Sequence, residues 1–142
     1  MNTQNRRKSV TLGFLAGVGY FVVGVGLGEL ANWIGPVRGQ FAVRLSAWVV
    51  SAAIFAFHIA YEHFRLRMKW MAVALHVALA AGFGAFLLAV AATVHALRVG
   101  STAPIGLYLL ALVLWPLIAG LPAFVTGLVL AKILAVVWPR AA

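Results

Sequence analysis

Ser51, His58, Glu62 and Arg65 stand seven, four and three residues apart, a spacing that places them along one stripe of a helix. Arg44, seven residues before Ser51, extends that stripe. A carboxylate one helical turn from an imidazole can bind and pass a proton near neutral pH, or it can bridge helices through hydrogen bonds. His58 lies seven residues before Arg65, and His76 seven residues after Lys69. With the chain turning between Arg65 and Lys69, both imidazoles lie about 10 Å from the turn at ~1.5 Å per residue. Lys132, six residues before Trp138, is expected at the same depth. The expected interior polar layer is therefore Ser51, His58, Glu62, His76 and Lys132.

Three chemistries compete for this layer. In the first, Glu62 pairs with Lys132 or Arg65 while the histidines bond to neighbouring carbonyls or to Ser51, and the layer only holds helices together. In the second it is a proton or ion pathway. In the third, His58 and His76 are the two axial ligands of a haem b held between facing helices. A metal site is not expected. His63 projects about 100° around the helix from the face that His58 and Glu62 share, and the His-Glu-x-x-His zinc motif is missing.

What the chain lacks narrows the field further. It has no Cys, no Asp and only two Glu, Glu29 and Glu62, so disulfide scaffolds, zinc–thiolate sites and thiol chemistry are excluded. The two glutamates fall on opposite sides of the expected bundle and cannot work as a catalytic pair. Ser51, His58 and Glu62 stack along one helix rather than converging as a hydrolytic triad does. The Gly-x-x-x-Gly pairs lie in apolar helix without the Lys-Ser/Thr of a phosphate loop. No enzyme activity is expected, a membrane redox role through haem excepted.

The elements that must position these residues follow from composition. The chain is 65% hydrophobic and 9% charged, against roughly 45–50% and 25% in soluble domains. So few polar groups cannot cover a soluble surface, and so apolar a chain is not disordered. Four stretches reach the ~20 residues needed to cross ~30 Å of hydrocarbon, at about 10–33, 41–64, 70–97 and 105–138. They are expected to form a single transmembrane domain over residues 1–142. Gly35-Pro36 with Gly39, Arg65 to Lys69, and Gly100 to Pro104 separate them. Links this short make neighbours antiparallel, so the expected fold is an all-α, integral-membrane four-helix bundle.

The net charge of +9 does not mark a nucleic-acid binder, because the basic residues sit at the ends of apolar runs and form no continuous face. Arg6, Arg7, Lys8, Arg65, Arg67, Lys69, Lys132 and Arg140 fall on one side, against Arg38, Arg44 and Arg98 on the other. The positive-inside rule then puts both termini in the cytoplasm, as a multi-pass protein of the cell's inner (plasma) membrane. Trp33, Trp70 and Trp138 mark interfaces. The first apolar stretch, about 24 residues, exceeds the 7–15 of a signal-peptide core, so it is expected to be retained.

Gly13, Gly17, Gly24 and Gly28 share a face of the first span and offer a groove for close packing, against another helix of the chain or another copy. Ala81, Gly82, Gly84 and Ala85 form a weaker set in the third span. Pro116 and Pro122 should kink the fourth, or break it as in transporters whose freed carbonyls line a path. Glu29 and Arg44, flanking the first loop, are expected to form an ion pair, with His95 and Arg98 at the same face. The functional expectation is a small polytopic protein acting as an accessory or packing component, or as a small oligomeric transporter or channel. The alternative is a haem b electron-transfer subunit. Its expected partners are the bilayer and either further copies or a larger membrane complex.

Overall fold

The computed structural model describes residues 3–34 and 37–138. Gly35, Pro36, Pro139 and Arg140, which the sequence places at a loop and at the last span's end, lie outside the described residues. The described residues form four helices: α1 (Thr3–Ile34), α2 (Val37–Phe64), α3 (Trp70–Arg98) and α4 (Ile105–Val137). All four are long and apolar enough to cross a membrane. Trp33, Trp70 and Trp138 are exposed at helix ends.

Helix α1 begins well before the apolar stretch, so Arg6, Arg7, Lys8 and Ser9 belong to its first turns. Ser9 is thereby carried on a helix rather than in a tail. Helix α4 runs unbroken through Pro116 and Pro122, and the expectation of a broken fourth helix is not met. The proline turn packs directly on α3, where Pro116 O stands 3.4 Å from the place of a Cβ on Gly82.

Helix α3 is the hub of the bundle, packed against α4 on one side and α1 on the other, while α2 lies chiefly against α1. Its Val73, Ala74 and Val77 are wholly buried. Gly82 and Gly84 serve the two sides separately. Gly82 faces α4, whereas a Cβ on Gly84 would stand 2.8 Å from both Gly17 O and Tyr20 Cβ of α1. On α1 the glycine stripe divides in use. Gly17 and Gly24 meet α3 at Phe83 and Leu88, Gly13 lies beside His58, and a Cβ on Gly28 would meet nothing within 4 Å.

The basic link between α2 and α3 is part of the core. Residues 65–69 alternate, with Arg65, Arg67 and Lys69 exposed and Leu66 and Met68 buried against Ile59, Val73, Val77 and Ala131. Leu66 N and Met68 N donate to Tyr61 O and Glu62 O at 3.2 and 3.1 Å. Arg67 turns the chain with φ 51°, a left-handed conformation that costs most side chains about 1–2 kcal/mol. Asn tolerates this region and β-branched residues do not. Arg67→Ile should therefore destabilise the protein by about 1–2 kcal/mol more than Arg67→Asn, measured as a shift in the unfolding midpoint in mixed micelles.

Candidate functional site

The tight α2–α3 link sets the last turn of α2 beside the second turn of α3, and the early start of α1 brings Ser9 to both. Glu62 is the centre. It is fully buried, as is His58 one turn before it. Ser9 Oγ donates to Glu62 Oε1. His76 Nδ1 lies 2.9 Å from the same oxygen and 2.5 Å from Ser9 Oγ. His58 Nε2 stands 3.5 Å from Oε1, beyond ordinary N–H···O distance but close enough to feel its charge. One carboxylate oxygen thus gathers side chains from three helices.

The rest of the cluster is unevenly satisfied. Glu62 Oε2 and His58 Nδ1 are buried with no hydrogen-bond partner among the described residues, which is costly in so apolar a setting. With Glu62 ionised, His76 Nδ1 carries the proton and donates to it. The His76 ring is only partly covered, its side chain 25% exposed. It borders a cavity of about 280 Å³ between α1 and α3, shared with Ser9, Gly13 and Phe83. Gly13 lies beside His58, whose Cε1 would stand at the ordinary contact distance of 3.9 Å from a Cβ there.

Of the expected layer, His58, Glu62 and His76 come together and two members stand apart. Ser51 is half-buried, two turns along α2 from His58, and no hydrogen bond joins it to the cluster among the described residues. Lys132 is exposed. The neighbouring Ala131 is the α4 residue buried against the core, and one residue on a helix is a rotation of about 100°, so Lys132 is turned away from Glu62. The expected Glu62–Lys132 or Glu62–Arg65 pairing is replaced by histidine and serine partners, with Arg65 exposed. His63 is buried with its ring edge-on to Phe64, centroids 4.9 Å apart.

Ser9 is the member that sequence reasoning missed. It precedes the apolar stretch and reads as part of a basic tail. The signal lay in its spacing: Ser9, Gly13 and Gly17 are four residues apart, which continues the glycine stripe one turn towards the basic end.

At the other end of the bundle, Glu29 and Arg44 do not approach within 4.0 Å, against expectation. Both line a larger cavity of about 720 Å³, bounded also by His95 and Trp48. Comparison with protein families, curated proteins and solved structures returns no match for this chain.

Proposed function

We propose that this chain is a small multi-pass membrane transport protein in which Glu62 binds and releases a proton through His76. The observation that carries the reading is a fully buried carboxylate bonded, at 2.9 Å, to a partly exposed imidazole that borders a cavity. A buried carboxylate in a membrane is expensive and marks function by default. An imidazole beside it supplies a group that titrates in the physiological range. When a proton reaches the outer nitrogen of His76 from the cavity, the proton on Nδ1 can pass to Glu62 Oε1. His76 is left neutral in its other tautomer, and Glu62 becomes a neutral acid. His58, 3.5 Å from the same oxygen, then offers the next acceptor along α2.

In the bilayer the helices run antiparallel, with both termini on the cytoplasmic side of the plasma membrane. Two features support this. Gly13 and Gly19 of α1 face His58 and Ile54 of α2, and Gly120 and Gly127 of α4 face Ala78 and Ala74 of α3, so each pair counts in opposite directions. Among the described residues, the seven basic ones at the Glu62 end outnumber the three at the other, as the positive-inside rule requires. A haem b between His58 and His76 would have to displace the carboxylate that both rings face, and the cluster's geometry does not favour it.

Purified protein in liposomes holding a pH-sensitive dye tests the proposal. An imposed proton gradient should dissipate several times faster than in empty liposomes, and His76→Ala should slow that decay towards the empty-liposome rate. Liposomes as tight with the protein as without it would rule the reading out.

A further inference from the structure

The cavity at the end remote from Glu62 is built for a ligand carrying two opposite charges and a hydrocarbon chain, and we infer that it binds a zwitterionic phospholipid whose headgroup bears a phosphate and an ammonium. Helices α1 and α3 meet at Gly24 and Leu88, and the next glycine along α1 is open. A Cβ on Gly24 would lie 3.0 Å from Leu88, whereas one on Gly28, a turn further, would meet nothing within 4 Å. Ala47, Ala91 and Ala92 on the other walls fill little of the space. The result is a crevice of about 720 Å³, within the ~300–1,000 Å³ of small-molecule sites.

Its lining changes along its depth. The floor, around Leu88 and Ala91, is apolar, and Glu29 lies five residues beyond Gly24, about 8 Å higher at ~1.5 Å per residue. There Glu29 and Arg44 enter the same cavity from different helices without pairing within 4.0 Å. Arg44 suits a phosphate, which guanidinium binds in a two-pronged fork. Glu29 suits an ammonium, with the exposed Trp48 ring on the same lining able to face a cation. Of the ionisable groups on the lining, Glu29, Arg44 and His95, an anionic lipid would satisfy Arg44 and bring nothing to Glu29, and a simple cation would satisfy Glu29 and meet Arg44. The apolar floor selects a lipid over a free zwitterion, because a chain entering it leaves no polar group unsatisfied. This inference does not depend on Glu62.

Native mass spectrometry of the full chain in detergent, with three probes, decides the matter. The probes are dihexanoyl phosphatidylethanolamine, dihexanoyl phosphatidylglycerol and free phosphoethanolamine. The ethanolamine lipid should bind as one molecule per chain, about tenfold or more tighter than either other probe. Glu29→Gln and Arg44→Gln should each weaken it about tenfold; both residues are exposed, and circular dichroism should report unchanged helicity. Gly28→Leu should remove binding by filling the crevice while leaving the thermal midpoint at or above the wild-type value. Equal binding of the two lipids, phosphoethanolamine binding as tightly as the lipid, no one-to-one complex, or wild-type affinity in Gly28→Leu would each overturn the inference.

Discussion

Glu62→Gln is expected to lower proton flux through reconstituted protein by about a hundredfold or more, the lower end of what a positioned acid–base group contributes to proton transfer. The substitution keeps the shape of the side chain and a hydrogen-bonding oxygen for Ser9, so packing around Ile59 and Val73 should persist. What it removes is the capacity to take a proton from His76 Nδ1, 2.9 Å away. His58→Ala should have a smaller effect, since at 3.5 Å its Nε2 is the most distant of Glu62's three neighbours. Infrared difference spectra between low and high pH give a second readout. With only two acidic side chains in the protein, a carboxylic C=O band that appears on acidification and vanishes in Glu62→Gln, but not in Glu29→Gln, assigns the proton. A cluster that merely clasps helices would behave differently: Glu62→Gln would shift the unfolding midpoint and leave the flux as it was.

The four helices were legible in the sequence because crossing a bilayer imposes a length and an apolarity that few other constraints mimic. The meeting of His58, Glu62 and His76 was legible for a related reason. A short basic link fixes two helices at matched depth, and counting back seven residues on one and forward seven on the other locates both imidazoles. Lys132 shows where such counting stops. Depth comes from residue number, but rotation about the helix depends on which neighbour packs where, and Ala131 takes the inward position on α4. Ser9 shows the converse. Hydropathy marks where a span enters hydrocarbon, whereas the α1 helix continues through the basic turn to its start at Thr3. The missing Glu29–Arg44 pair belongs to a third kind: the two residues stand on α1 and α2 and line one cavity without meeting, a spacing across helices that no local pattern encodes.

Gly84→Leu should be the most damaging substitution in the bundle, and it links packing to the site. Helix association in a bilayer depends on close van der Waals contact, since lipid tails are as apolar as the side chains they replace. A Cβ on Gly84 would lie 2.8 Å from the carbonyl oxygen of Gly17 and from Tyr20 Cβ. Neither is the free end of a flexible side chain, so α1 and α3 must move apart. Overpacking of this kind typically costs ~1–3 kcal/mol, and the larger Leu side chain should reach the upper end of that range. Gly28→Leu, on the same pair of helices but at an open position, should cost almost nothing. Unfolding in mixed micelles separates the two as a large against a negligible midpoint shift. Equal shifts would mean that α1 does not dock on α3 through Gly84. The consequence extends to Glu62, because Ser9 rides on α1 while His76 is fixed to α3. Separating those helices loosens the 2.5 Å contact between Ser9 Oγ and His76 Nδ1, and with it the hold on the imidazole that faces the carboxylate. Gly84→Leu protein that still inserts should therefore lose proton flux as well as stability, whereas Ser9→Ala, which removes one buried hydrogen bond without moving a helix, should lower flux at a stability cost of about 1 kcal/mol.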